Sequence, residues 1–203
     1  MREPLIATII ELEWGMFSAV NNAGGRAPCQ MDPATFEIMR SSQANAWPEE
    51  LLASWLADLT EAGQAGRNLM SEKYAWMMES THPEEFARIA DRLPSIDVGT
   101  LALIEDIVAV NLAWKEEVAE RYPALSDRGR PIYTAEDTPG ETSFETYLRG
   151  ELKTYSPRTV RLLHAHTADQ KARGINSVAE TLLHQVRHYG YPSLGQAERG
   201  NRR

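Results

Sequence analysis

Three polar side chains interrupt helical stripes that are otherwise apolar, and these residues are the best suited to chemistry. Glu13 falls between Ile9 and Met16 in the stripe of one predicted helix, and Gln43 and Glu151 interrupt the stripes of two later helices. A carboxylate on an apolar face needs a cationic partner or a raised pKa. A carboxyl group of raised pKa is a good general base, so we predict Glu13 and Glu151 as catalytic residues.

Three arginines could complete a binding site for an anion. Arg40 lies close to Gln43 on its helix, and Arg26 and Arg130 lie in the loops that precede the helices of Gln43 and Glu151. Arginine binds carboxylate, sulfate and phosphate groups through paired N–H donors. Carboxylates and arginines that converge on an apolar pocket are typical of a small-molecule site. The alternative is a set of buried Arg–Glu pairs that only fix how the helices pack.

The segment 21–30 reads Asn-Asn-Ala-Gly-Gly-Arg-Ala-Pro-Cys-Gln and connects two predicted helices. A Gly-Gly pair usually marks a positive φ angle or a close backbone approach, which suits either a tight turn or a binding loop. We favour the binding loop and predict substrate contacts from Asn22, Arg26 and Gln30. Cys29 has no histidine near it in sequence, so we predict a structural residue rather than a nucleophile.

A metal site is poorly supported by the histidines. His184 and His188 are one helical turn apart, as in a zinc-binding helix, but Gln185 stands where the general-base glutamate of that motif belongs. We therefore predict no metal and no other cofactor.

The elements that position these residues are predicted to be helices throughout. Apolar residues recur with helical spacing along most of the chain, and no segment alternates strictly enough to be a strand. The sequence predicts an all-α fold of about eight helices in a single domain, residues 1–203. The connection 123–142 has no clear periodicity, which is typical of a functional or disordered loop, and residues 198–203 are predicted to fray.

The chain also carries a weak internal similarity. A shift of 108 residues aligns 35–76 with 143–184 without a gap, although only six of the 42 positions are identical. The matches lie at caps, turns and stripe interruptions, including Gln43 on Glu151 and Asn68 on Asn176. We predict a duplicated helical-hairpin bundle with halves of about 4–95 and 97–190.

The bulk composition excludes several classes of protein. The formal net charge is −8 and no basic tract precedes the last few residues, which argues against nucleic-acid binding. No run approaches the length of a membrane span, and Glu11 and Glu13 interrupt the apolar stretch that a signal peptide would need. The single cysteine fits a reducing compartment, so a cytoplasmic location is predicted.

Several motifs, in order along nearly the whole chain, resemble those of an uncharacterised bacterial family, domain of unknown function family 4125. They include Glu13-Trp14-x-Met16-Phe17, Phe36-x-x-Met39-Arg40-x-Ser42-Gln43, Glu72-Lys73-Tyr74-Ala75-x-Met77-Met78 and Thr142-Ser143-Phe144-Glu145-Thr146-Tyr147-Leu148-Arg149-Gly150-Glu151-Leu152. The segment from Asn22 to Gln30 and Gly66-Arg67-Asn68-Leu69 belong to the same set. Glu145 and Tyr147 of the fourth motif are added to the predicted substrate contacts.

The resemblance implies a partner and a reaction. Proteins of this kind resemble partners of a nucleotidyltransferase-like protein of unknown function. A two-component enzyme of azinomycin and vazabitide biosynthesis, which closes an aziridine by expelling sulfate, is similar to such a pair. By this resemblance the chain would be the small subunit, with Glu13 or Glu151 as the base that keeps the amine unprotonated and arginines that hold the departing sulfate.

Three functions therefore remain open at the level of sequence. The first is an enzyme subunit for a small anionic substrate, the second a non-catalytic helical adaptor for another protein, and the third a metal-dependent helical enzyme. Glu13 and Glu151 on a shared pocket with arginines would favour the first. The same carboxylates in internal ion pairs, with a large exposed apolar patch, would favour the second.

Overall fold

The computed structural model describes residues 2–21, 25–127 and 129–202. Within these ranges the chain forms eleven α-helices and no β-strand, so the all-α prediction is confirmed. None of these helices is both long enough and apolar enough to cross a membrane. The helices are α1 (Arg2–Ser18), α2 (Pro33–Asn45), α3 (Glu49–Gln64), α4 (Leu69–Thr81), α5 (Pro83–Ala87), α6 (Val98–Arg121), α7 (Pro123–Ser126), α8 (Phe144–Leu152), α9 (Pro157–Ala172), α10 (Ser177–His188) and α11 (Leu194–Asn201).

The expected number of helices, about eight, was too low because short helices leave no periodic signal. The connection 123–142 contains α7, a 3₁₀ turn at Thr134–Glu136 and a two-residue bridge between Thr138 and Glu141. Residues 198–203 were predicted to fray, but residues 194–201 form a helix that packs on the rest of the chain. Helix α11 packs Ala197 and Leu194 against Val186, and the carboxylate of Glu198 accepts hydrogen bonds from the first backbone N–H groups of α7.

The apolar core lies where α3 and α9 meet, with α1 and α6 packed against them. The fully buried side chains come from all four helices, which explains why each helix has its own apolar stripe. They include Ile6, Ile9, Leu51, Leu52, Trp55, Leu59, Ile104, Ile107, Val108 and Val160.

The two predicted halves repeat the same local structure. Helix α3 spans Glu49–Gln64 and α9 spans Pro157–Ala172, so the first residues of the two helices are 108 positions apart and so are the last. Two residues after each helix comes a glycine of positive φ, Gly66 at 70° and Gly174 at 67°, a conformation that L-residues with a Cβ atom disfavour.

The asparagine after each of these turns makes the same two contacts. Asn68 accepts a hydrogen bond from the N–H of Ser71 and donates to the carbonyl of Met16 in α1. Asn176 accepts from the N–H of Ala179 and donates to the carbonyl of Trp114 in α6. The capping role predicted for both asparagines is confirmed. In addition, Asn68 connects the start of α4 to α1, and Asn176 connects the start of α10 to α6.

The halves interlock rather than lie side by side. Helix α4 of the first half packs on α8 of the second, and α10 of the second half packs on α2 of the first. Helices α1, α2, α4 and α8 therefore meet around one point, and four of the polar residues singled out in the sequence lie there: Glu13, Arg40, Gln43 and Glu151.

Candidate functional site

Four charged side chains and one amide meet between α1, α2, α4 and α8. We call them the buried charge cluster, which consists of Glu13, Arg40, Lys73 and Glu151 with the amide of Gln43. The exposed fractions of Glu13, Lys73 and Glu151 are 1%, 2% and 3%. Two carboxylates face two cations, so the cluster is electrically neutral, as buried charges must nearly be.

Glu13 is held by three donors. The guanidinium of Arg40 donates from Nε to Oε2 at 2.7 Å and from Nη2 to Oε1 at 2.5 Å, a bidentate pair. The indole N–H of Trp55 donates to Oε1 at 2.8 Å. The prediction that Glu13 lies within the apolar face of α1 is confirmed, and its partner there is Arg40.

Glu151 is held by four donors. Its Oε1 accepts from Arg40 Nη1 at 3.1 Å, from Gln43 Nε2 at 3.1 Å and from the hydroxyl of Tyr155 at 2.9 Å. Its Oε2 accepts from Lys73 Nζ at 2.5 Å. Three of these donors converge on Oε1 and one on Oε2, so both oxygens of Glu151 are engaged within the protein.

The charges around Glu151 keep it ionised. Burial alone would raise the pKa of its carboxyl group, but Arg40 and Lys73 together hold that pKa well below its usual range. Burial likewise would lower the pKa of Arg40, whereas Glu13 and Glu151 raise it well above the usual value. The prediction of a raised pKa is therefore wrong for Glu151, because the sequence did not reveal its second cation, Lys73.

Lys73 was missed, although its position carried a signal. It lies four residues from Leu69 and four from Met77 on the buried face of α4, and so interrupts an apolar stripe just as Glu13 does. Trp55 and Tyr155 also belong to the site, as neutral donors whose rings pack with centroids 4.4 Å apart. Their aromatic character predicts burial but does not predict which acceptor their polar groups reach.

Close packing of α4 on α8 brings Lys73 to Glu151. Gly150 lies at the crossing, where an added Cβ atom would come within 2.8 Å of Met77 Cγ and 3.1 Å of the Lys73 carbonyl oxygen. Because glycine has no Cβ atom, α8 can approach α4 this closely at Gly150, next to Glu151.

Tyr147 connects the buried charge cluster to the surface. The ammonium of Lys73 lies 3.4 Å from the centre of its ring, and the guanidinium carbon of Arg130 lies 4.6 Å from the same centre. Arg130 is exposed and uses Nη1 to donate to the carbonyl of Thr142 at 2.9 Å. We call Tyr147 and Arg130, with Lys73 below them, the Tyr147 platform; both of its cations make cation–π contacts.

Residues of two loops lie near the Tyr147 platform: Cys29, from the loop that also carries Arg26, and Arg130 itself. Burial raises the pKa of Tyr74, Tyr147 and Cys29 raise it further, and Arg130 lowers it, so Cys29 and Arg130 both lie within electrostatic range of Tyr74. Cys29 is an exposed free thiol rather than a packed side chain. Arg26 is exposed in its loop. Asn22 lies outside the described residues, so its predicted role stays a prediction.

Two further predicted contact residues have structural partners. Gln30 is buried and donates to the carbonyls of Phe17 and Val20, which fixes the loop to the end of α1. Glu145 accepts from the N–H of Thr134 at 2.8 Å and from Arg149 at 2.9 Å, and so holds the 3₁₀ turn against α8.

The sequence profile of one family matches residues 3–199, nearly the whole chain, and that family is described as a protein of unknown function (DUF4125). The chain belongs to this family. The resemblance drawn from the motifs is thereby confirmed, and the motif residues Glu13, Arg40, Gln43, Lys73 and Glu151 are those of the buried charge cluster. Comparisons with curated proteins and with solved structures gave no match.

The geometry separates two roles within the site. Both carboxylate oxygens of Glu151 and both of Glu13 accept hydrogen bonds within the protein. The cluster therefore fixes four helices and orients Tyr147. Arg130, by contrast, makes no ion pair with any described carboxylate and offers N–H donors at the surface. Within the described part of the chain, this platform combines a fixed aromatic face with an available cation.

Proposed function

We propose that the chain is the anion-binding subunit of a two-component enzyme that acts on a small anionic metabolite. The observation that carries the proposal is the exposed guanidinium of Arg130 over the ring of Tyr147, with no carboxylate partner among the described residues. An arginine stacked on a ring has lost much of its rotational freedom, so it binds an oxyanion at a lower entropic cost.

The buried charge cluster supports this function by holding the platform rigid. Tyr147 lies on α8 one turn before Glu151, and Lys73 contacts both residues. A ligand bound over Tyr147 would meet a ring whose position is fixed by buried ion pairs, which is the preorganisation that a binding site requires.

The specific reaction that we propose follows from the resemblance: closure of an aziridine by intramolecular displacement of sulfate. A neutral amine attacks the neighbouring carbon, the carbon–oxygen bond breaks with its electron pair leaving on sulfate, and the ring nitrogen loses a proton. Arg130 would stabilise the departing sulfate, and a second, nucleotidyltransferase-like protein would complete the site. No redox cofactor or metal is required by this step.

The proton acceptor in that reaction was predicted as Glu13 or Glu151. In the described geometry both carboxylates are buried and ion-paired, Glu13 with Arg40 and Glu151 with Arg40 and Lys73, so neither faces a substrate. We therefore assign both residues a positioning role in the proposal and assign the base to the partner subunit or to solvent. Activity in Glu13→Gln and Glu151→Gln variants that remain folded would support this assignment, whereas its complete loss would return the base to this chain.

The test of the proposed function uses sulfate binding and turnover. Arg130→Gln should weaken sulfate binding to the full-length chain by about tenfold, the effect of one charge-assisted contact. Arg173→Gln is the matched control, because Arg173 is an exposed surface arginine paired with Asp169 on another part of the fold. Unchanged sulfate affinity in Arg130→Gln would refute the binding site. Turnover requires the co-expressed partner and an amino-sulfate ester as substrate, with aziridine detected by mass spectrometry.

A second candidate function, a helical adaptor without chemistry, is favoured by one observation. Met31, just before α2, and Met39, within it, are 66% and 46% exposed. Exposed methionines are common on surfaces that bind other proteins. Loss of a co-purifying partner in Met31→Ser with Met39→Ser, together with intact turnover in Arg130→Gln, would favour the adaptor.

A further inference from the structure

A second cation lies beside the Tyr147 platform and has no partner there. Lys115 of α6 is half-buried, and its ammonium lies 6.0 Å from the centre of the Phe144 ring. It makes no hydrogen bond or ion pair with any residue that the structure describes. A half-buried ammonium without a counterion is unfavourable, so its position needs an explanation.

Lys115 and Arg130 lie over neighbouring rings of one helix. Phe144 and Tyr147 are three residues apart on α8, and residues at this spacing are neighbours on a helix surface. Lys115 also reaches the loop that carries Arg130, because its Nζ lies 3.9 Å from where a Cβ atom on Gly129 would be. The two cations thus approach the same stretch of chain from α6 and from the loop.

A third group in this part of the fold, the side chain of Ser126, also has no partner among the described residues. Its hydroxyl oxygen is buried without a hydrogen bond to any of them, while the carbonyl of the same residue accepts from the N–H of Gly129 at 2.9 Å. A buried hydroxyl that finds no partner within the protein is uncommon. Two carboxylates of α6 and α8 are engaged elsewhere, since Glu116 accepts from the hydroxyl of Tyr133 and Glu145 accepts from Arg149.

We propose that Lys115, Ser126 and Arg130 form one subsite for a tetrahedral dianion, either the sulfate ion released from a sulfate ester or the head group of a phosphate monoester. The proposal rests on the proposed function for the contact of Arg130 and adds the charge and geometry of the bound group. Two cations match a group of charge −2, and the Ser126 hydroxyl supplies a neutral donor. Burial lowers the pKa of Lys115, which a bound dianion would offset.

Isothermal titration of the full-length chain with sulfate, inorganic phosphate and methanesulfonate tests the subsite. The wild-type chain should bind at least one of the two tetrahedral dianions about tenfold more tightly than the monoanion methanesulfonate, and the tighter one shows whether the subsite suits released sulfate or a phosphate group. Lys115→Met should weaken that dianion by about tenfold because one of its two charge-assisted contacts is lost, and it should leave methanesulfonate nearly unchanged because Arg130 alone balances a single negative charge. Ser126→Ala should weaken both anions to a smaller, similar extent.

The same titration provides a control variant and separates failure of this inference from failure of the proposed function. Lys171→Met removes an exposed lysine from the end of α9 and should bind like the wild type. If Arg130→Gln weakens sulfate but Lys115→Met does not, this inference is refuted and the proposed binding function stands. If no anion binds, or if neither substitution matters, both are refuted. Circular dichroism at the same temperature verifies that each variant is folded.

Discussion

Gln43 and Glu151 are 108 residues apart, are aligned with each other by the internal similarity of the sequence, and hydrogen-bond to each other at 3.1 Å. Trp47 and Tyr155 have the same separation in sequence, and their ring centroids are 6.2 Å apart. Both contacts therefore join residues that the 108-residue shift aligns, and the first of them lies within the buried charge cluster.

The amide at position 43 should be essential to this contact. Gln43→Glu would place a third carboxylate beside Glu151, with only Arg40 and Lys73 to compensate three negative charges. An uncompensated charge of this kind destabilises by about 3 kcal/mol, which urea denaturation at pH 7 would detect. Gln43→Met is the uncharged control and should cost less. Equal stability of Gln43→Glu and wild type would show that solvent reaches the contact freely.

The pair of Lys73 and Glu151 should behave as one energetic unit. Lys73→Met leaves Glu151 with Arg40 as its only cation, and Glu151→Gln leaves Lys73 without an anion. Each substitution should lower the free energy of unfolding by about 3–5 kcal/mol, and the double variant should lose much less than the sum. Additive losses in a double-mutant cycle would contradict the coupling.

Acid should destabilise the fold through Glu151. Its pKa is lowered in the folded chain from an ordinary value of 4.5, so the unfolded chain binds this proton first as the pH falls. The stabilisation is complete above the ordinary value and is lost as the pH decreases from there through the folded value, by at most about 1.4 kcal/mol per pH unit. Urea denaturation between pH 7 and pH 3 measures this slope, which should be shallower in Glu151→Gln than in the wild type.

Two glycines within helices should respond to alanine with opposite signs. Gly150→Ala would press a methyl group against Met77 and the Lys73 carbonyl, and should destabilise by about 1–3 kcal/mol. Gly15 in α1 has no atom within 4 Å of the same position, so Gly15→Ala should stabilise by roughly 0.5–1 kcal/mol. Thermal melting of both variants gives the comparison, and a stabilising Gly150→Ala would contradict the close packing of α4 on α8.

The terminal helix should protect α7. Glu198 accepts from the N–H groups of Ala124 and Leu125, which have no partner within α7. Glu198→Gln should therefore speed amide hydrogen exchange at both residues while leaving the core helices unchanged. Glu180→Gln is the control, because Glu180 is an exposed residue of α10.

Periodicity predicted the fold class, and the interrupted stripes located three of the five cluster residues. Arg40 was found through its spacing to Gln43, but the sequence did not show that it joins Glu13 and Glu151, because contacts of 27 and 111 residues' separation depend on how helices cross. Lys73 also interrupts an apolar stripe, that of α4, but the sequence does not show which carboxylate it meets, because Glu151 lies 78 residues away. Lys115 and Ser126 carried no sequence signal, since a missing partner is visible only once all neighbours are placed.

The interlocked halves set the order in which the chain can become stable during synthesis. As the protein leaves the ribosome, Glu13 and Arg40 can pair early, since 27 residues separate them. Lys73 can pair only after Glu151, 78 residues later, has been synthesised, and α2 can pack only after α10 has been synthesised. A nascent chain that ends before α8 has Lys73 on the apolar face of α4 but lacks its counterion Glu151. Fragments 2–95 and 97–202 should therefore each remain unfolded alone and fold together when they are co-expressed.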